Sequence, residues 1–163
     1  MMLSVLLLLL VTVAFATLPR CIVSPDHQRL SRSHPGYSSN ATYVLSIQHA
    51  MEYCEADHDL SVYLWPVKYH EHISVRSNVT SLLLESLRIY PESPHATFSG
   101  GISTHNLTRF MARFIDFVLP DVPGALGDFP FGPGQHPTDE LSFKDCTFIV
   151  PYNERYYSES EKE

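Results

Sequence analysis

The stretch LSVYLWPV, residues 60–67, predicts the strand around which we expect the rest of the chain to pack. Apolar side chains alternate with polar or aromatic ones along it, which is the period of a strand with one buried face. Pro66 ends this strand or places it at a sheet edge, because proline has no N–H to donate to a neighbouring strand. A second strand is expected directly after it, over residues 69–76.

Three other segments have apolar side chains at helical spacing. The pattern predicts helices over residues 40–54, 79–90 and 106–119. A last strand is expected over residues 141–150, where alternation returns, and no internal repeat is apparent. The sequence therefore predicts a small, disulfide-stapled α+β domain, with about three helices packed on a short, mostly antiparallel sheet.

The third predicted helix carries an aromatic face made of Phe110, Phe114 and Phe117. Such a face belongs in the core of a small domain, because aromatic side chains contribute most of the buried apolar area. A face too large for that core would instead be an exposed patch, and such patches mark interfaces. The pattern favours the core and leaves the partner-facing alternative open.

The first sixteen residues, MMLSVLLLLLVTVAFA, read as a secretory signal peptide. The run is apolar, ends in the small-x-small pattern of a cleavage site, and is too short to span a bilayer. We expect cleavage after Ala16 and a single secreted domain over residues 17–155. Residues 156–163 form an acidic tail that we expect to be disordered. No later segment has the hydrophobicity of a membrane anchor.

Three sequons support secretion as a glycoprotein. They predict N-glycosylation at Asn40, Asn78 and Asn106. The formal net charge of −7 argues against a nucleic-acid partner, whose phosphates attract clustered Lys and Arg side chains.

The chain has three cysteines, an odd number for an oxidising compartment. One pair can close, and three pairings are possible. A Cys21–Cys54 bridge would fasten the N-terminal arm beneath the first predicted helix, whose apolar stripe ends on Cys54. Cys146 would then be unpaired or bonded to another chain.

The triplet His70-Glu71-His72 is the best candidate for a metal site. Alternate residues of a strand share a face, so both imidazoles could bind one zinc ion, with Asp57, His58 or Asp59 as a third ligand. The pattern is common in a chain with nine histidines, and a half-exposed strand with a polar face is the better explanation. No nucleophile elbow, P-loop or dinucleotide-binding motif is present. We therefore expect neither an enzyme nor a cofactor.

The segment DVPGALGDFPFGPGQHP, residues 121–137, is rich in proline and glycine and predicts a long loop. A loop of this length in a compact domain is usually mobile or held by a partner. Phe129 and Phe131 are the candidates for that contact.

The order of these parts resembles the herpesvirus glycoprotein L family, especially its alphaherpesvirus form. The matching residues are Tyr43-Val-Leu, Cys54, Val62-Tyr-Leu-Trp65 and Asn78-Val-Thr, so the resemblance covers roughly residues 21–90. The gap from Cys54 to Trp65 is longer than in the family, Val79 replaces a proline, and the fourth cysteine is missing.

The resemblance implies a non-catalytic subunit without an anchor of its own. Such a subunit binds the membrane protein glycoprotein H, supports its folding and export, and reaches the virion envelope and the infected-cell surface through it. The complex regulates membrane fusion during entry. Cys21 and Cys54 would correspond to the family's first disulfide, and Cys146 to one half of its second. The alternative is a secreted, glycosylated binding module that captures a host cytokine or receptor.

Overall fold

Every strand pairing in the described part of the chain is parallel. The computed structural model describes residues 20–90, 92–119, 129–132 and 135–150. These residues contain twelve strands and one helix. In chain order they are β1 (Cys21–Val23), β2 (Thr42–Val44), α1 (Ile47–Tyr53), β3 (Asp59–Leu64), β4 (Lys68–Tyr69), β5 (Ile73–Ser74), β6 (Ser81–Ser86), β7 (Ala96–Phe98), β8 (Ile102–Ser103), β9 (Arg109–Arg113), β10 (Ile115–Val118), β11 (Glu140–Lys144) and β12 (Thr147–Ile149).

The strands form three sheets that the chain visits in turn. The first sheet has the order β11-β9-β6-β3-β1-β2, the second β12-β10-β7-β4, and the third β5-β8. From β3 onward the chain contributes one strand to the first, second and third sheets in turn. It then returns to the first sheet, where the next strand pairs with the previous one, and so forms a new coil. The coils are β3-β4-β5, β6-β7-β8, β9-β10 with Phe131 bridging to Ile102, and β11-β12. This winding is the architecture of a parallel β-solenoid.

Side chains stack in register through the interior of the coils. Leu60 of β3 lies beside Leu82 of β6, which lies beside Phe110 of β9. These three side chains are at most 3% exposed. Because each coil packs its apolar row against the coils above and below it, the stack makes one continuous core.

The prediction of helices on a mostly antiparallel sheet is wrong. Residues 79–90 contain β6, residues 106–119 contain β9 and β10, and the first predicted helix is reduced to α1 with β2 before it. Phe114 has a φ of 55°, in the left-handed region, so a right-handed helix cannot pass through this position. That residue instead turns the chain from the first sheet into the second.

Three strand predictions are correct in type and too long. The strand expected over residues 60–67 is β3. The stretch expected as one strand over residues 69–76 contains the end of β4 and then β5, with a corner between them. The last expected strand, residues 141–150, is divided into β11 and β12 at Asp145, whose φ is 53°.

An internal repeat, not apparent in the sequence, marks the corner that precedes the first sheet. The triplets Asn78-Val-Thr and Asn106-Leu-Thr occupy this corner in successive coils. Asn78 Nδ2 donates to the carbonyl of Ala56 at 3.1 Å, and Asn106 Nδ2 donates to that of Ser77 at 2.9 Å. Each asparagine thus ties its own coil to the preceding one.

Helix α1 packs against the first strands of the stack. Its apolar residues Ile47, Ala50 and Met51 are fully buried in the common core. The Cys21–Cys54 disulfide joins β1 to the C-terminal end of α1, with the two Cα atoms 6.0 Å apart. The predicted pairing of these cysteines is confirmed.

The segment between β1 and β2, residues 24–41, is an arm that crosses the outer face of the first sheet. Leu30 of the arm is 5% exposed and packs with Ile22 and Leu87 in a second, smaller apolar cluster. Its backbone N–H donates to the hydroxyl of Tyr43 at 3.2 Å. The N-terminal coils are therefore covered on the outside as well as at their end.

Candidate functional site

The last coil within the described residues leaves its apolar side chains partly open to solvent. Leu141 and Phe148 pair in register with Phe110 and Phe117, which are fully buried. Leu141 is 46% exposed and Phe148 is 44% exposed. We call Leu141, Phe143, Phe148, Ile149 and Val150 the open-end patch.

Aromatic rings give the open-end patch a fixed shape. Phe148 stacks on Phe117, with the planes 15° apart and the centroids separated by 5.4 Å. Phe143 meets both rings edge to face, at 5.5 Å from Phe117 and 5.1 Å from Phe148. Side chains already ordered by the core lose little conformational freedom when a partner covers them.

The backbone is also open at this end. Within the described residues, β11 pairs only with β9 and β12 pairs only with β10. An edge strand presents N–H and C=O groups to any strand that can lie beside it. Solenoids need a cap at each end because a bare coil exposes both its core and its edge. The arrangement therefore suits docking of another polypeptide.

Cys146 lies at the corner between β11 and β12. Its Sγ is 3.4 Å from the carbonyl oxygens of Ala112 and Lys144, and the residue is half-buried. Burial raises the pKa of the Cys146 thiol, which suppresses the reactive thiolate. The prediction that this cysteine has no partner in its own chain agrees with the pairing of Cys21 and Cys54.

The three side chains of the His70-Glu71-His72 triplet make different contacts in the structure. His70 Nδ1 hydrogen-bonds to Ser99 Oγ, and His72 Nε2 lies 2.6 Å from Ser103 Oγ. Both histidines are exposed and pair with the next coil. The described residues hold no group of three or more His, Cys, Asp or Glu side chains that could bind a metal ion, so His70 and His72 have no third ligand there.

Glu71, between the two histidines, points to α1. Its carboxylate oxygens accept hydrogen bonds from the N–H groups of Ile47 and Gln48, each at 3.0 Å. A carboxylate at this position satisfies N–H groups that have no partner inside the helix. The triplet thus helps to fasten α1 to the coils.

The two phenylalanines proposed as loop contacts belong to the core instead. Phe131 is 4% exposed and meets Phe110 edge to face at 5.0 Å. Phe129 is half-buried and lies 6.1 Å from Phe117. Their burial does not favour the prediction that they contact a partner. The rest of that predicted loop is only partly within the described residues.

The three predicted glycosylation sites differ in their surroundings. Asn40, Asn78 and Asn106 are all exposed. Asn40 lies on the arm, and its Oδ1 accepts a hydrogen bond from Ser39. Asn78 and Asn106 use their Nδ2 atoms, where a glycan would attach, to bridge coils. Asn40 is therefore the predicted site whose amide nitrogen does not bridge two coils.

The open-end patch is the feature that sequence reasoning missed. The alternation over residues 141–150 predicts a strand but does not show that, among the described residues, the stack ends there. The predicted leader (residues 1–16) and acidic tail (residues 156–163) lie outside the described residues. Within those residues, no helix is long and apolar enough to cross a membrane.

No family model, curated protein or solved structure matches this chain.

Proposed function

We propose that this chain is a secreted, non-catalytic binding subunit that attaches to a larger membrane glycoprotein through its open-end patch. The observation that carries the proposal is the partial exposure of Leu141 and Phe148 directly beside buried Phe110 and Phe117. A partner that covered these side chains would complete the core and pair the free strand edges. The predicted leader and the sequons support an encounter in the secretory pathway.

The partner class comes from the resemblance to glycoprotein L, which rests on the residues quoted for it. On that basis the partner is a glycoprotein H-like membrane protein, and the chain supports its folding, its export and its part in membrane fusion. Complex formation then brings the chain to the virion envelope and the cell surface. The chain is proposed to act by contact and to need no cofactor.

Coexpression with the candidate membrane glycoprotein tests the proposal. The double variant Leu141→Ser/Phe148→Ser removes the exposed apolar side chains of the patch. Surface delivery of the partner should fall to the level seen without this chain, because the interface loses its central contacts. Cell-surface labelling of the partner measures the effect.

A matched control lies on the opposite end of the stack. Tyr53 of α1 is 69% exposed, so Tyr53→Ser also removes an exposed aromatic ring. Surface delivery should be unchanged with this variant. Equal delivery with the double variant and the wild type would refute the proposal. Purification of the chain with a soluble host cytokine or receptor, and no membrane glycoprotein, would support the alternative of a ligand-capturing module.

A further inference from the structure

A groove of about 670 Å³ lies on the outer face of the first sheet, away from the open-end patch. One wall is the arm at His34, Pro35 and Gly36. The opposite wall is the end of β6 and the residues that follow it, from Glu85 to Tyr90. Its volume is within the range of pockets that bind small molecules.

The charges of the groove differ from those of the chain as a whole. Arg20 and Arg88 contribute two guanidinium groups to the lining, whereas Glu85 contributes one carboxylate. That carboxylate lies 3.6 Å from Arg113, which is outside the lining. A chain with a formal net charge of −7 therefore has a local cationic groove here. A concave cationic surface attracts anions.

Arg20 is positioned to receive the anionic group. Its Nη1 donates to the carbonyl of Gly36 at 2.9 Å, and its guanidinium lies 5.6 Å from the ring centroid of Tyr63. These contacts hold the side chain in place. No carboxylate of the described residues pairs with it. Since a guanidinium has five N–H donors, most remain for a carboxylate or a sulfate.

The remaining lining suits a sugar ring. Tyr90 is 72% exposed and offers an aromatic surface at the rim. Glu85 supplies acceptor oxygens for hydroxyl groups, and Tyr63 supplies a second aromatic side chain. Pockets for polar ligands combine such apolar surfaces with a few fixed polar groups.

We propose that this groove binds an acidic saccharide, a sugar ring that carries a carboxylate or a sulfate. Its anionic group lies on Arg20, and its ring packs against Tyr90. The binding is reversible and involves no chemical step. It is independent of the open-end patch and of any partner bound there.

Calorimetric titration of the purified secreted chain tests the proposal with three disaccharides of equal size. One carries a uronic acid, one carries a sulfate, and one is neutral. At least one acidic disaccharide should bind about tenfold or more tightly than the neutral one, because a charge-assisted hydrogen bond contributes this much. The tighter of the two identifies the anionic group.

Variants locate the site. Arg20→Gln and Tyr90→Ala should each weaken binding of the acidic disaccharide about tenfold. Arg32→Gln is the control, since it removes the same charge from an exposed position on the arm outside the lining. Tyr90→Ala decides the question if Arg20→Gln disturbs the arm. Failure of both acidic disaccharides to bind, or equal weakening by Arg20→Gln and Arg32→Gln, would overturn the proposal.

Discussion

Glu71 lies in the corner between β4 and β5, yet both of its carboxylate oxygens bond to the first turn of α1. In the sequence, the flanking histidines suggest a metal site, and nothing there shows that the carboxylate caps a helix more than twenty residues earlier. A single residue can thus have its main contact far from its neighbours in sequence. Only the coil geometry brings the two segments together.

We expect Glu71→Ala to lower the free energy of unfolding by about 1–2 kcal/mol, the usual cost of losing a helix cap. Urea unfolding followed by circular dichroism measures the change. Glu55→Ala is the matched control, because Glu55 is exposed and lies beyond the end of α1. Equal stability of the two variants would show that the Glu71 contacts contribute nothing.

The buried phenol of Tyr69 makes stability depend on pH in the alkaline range. Burial, and secondarily the negative charge of Glu71, raises the pKa of Tyr69 above its ordinary value. Between the two values the folded chain holds a proton that the unfolded chain has lost, so stability falls as the pH rises above about 10.

Tyr69→Phe should remove this dependence. It also removes hydrogen bonds to the carbonyls of Val23 and Trp65, at a cost of about 1–2 kcal/mol near neutral pH. Urea unfolding at several pH values should show the difference between wild type and variant shrinking above pH 10. A constant difference across that range would contradict the account.

The thiol of Cys146 should react slowly in the folded chain. Its raised pKa lowers the thiolate fraction at pH 8, and the thiolate is the form that iodoacetamide alkylates. Mass spectrometry after timed labelling should show faster modification in denaturant than in native buffer. Equal rates in the two conditions would mean that burial does not protect this sulfur.

At the scale of elements, the sequence pattern predicts β3 as a strand but does not predict β6 and β9 as strands. The outward positions of β3 include Asp59 and Ser61, so the alternation is visible. In β6 and β9 the outward residues Leu83 and Met111 are also apolar and only partly exposed. With apolar side chains on both faces, the segments also match a helical period. The stacking of the coils determines that these segments are strands and not helices.

The Asn106 corner gives a test of how successive coils are joined. In protein produced without glycans, Asn106→Ala should lower the free energy of unfolding by about 1–2 kcal/mol. The reason is that the carbonyl of Ser77 loses its hydrogen-bond donor. Asn40→Ala is the control, since Asn40 lies on the arm and joins no coils. Urea titration of both proteins measures the difference. A smaller loss for Asn106→Ala than for Asn40→Ala would rule out the corner as a structural joint.

At the scale of the whole molecule, the Cys21–Cys54 pairing could be named from the sequence as one of three possible pairings. The stacking order of the coils could not be deduced from the sequence. A disulfide requires two cysteines, and the chain has only three. To deduce the stack, one must know that Ser81 pairs with both Asp59 and Arg109. The number of residues from Asp59 to Ser81 differs from the number from Ser81 to Arg109. The irregular lengths of the coils hide the repeat. The open-end patch depends on that order, so it too was beyond sequence reasoning.

The central claim is that the open-end patch is the surface through which the chain binds its partner. Hydrogen–deuterium exchange of the chain, alone and in complex with the membrane glycoprotein proposed as its partner, tests this claim most directly. We predict slower exchange in the complex for the amides of β11 and β12, and little change in β2 at the other edge of the first sheet. Unchanged exchange in β11 and β12, with protection confined to α1, β2 or the arm, would contradict it.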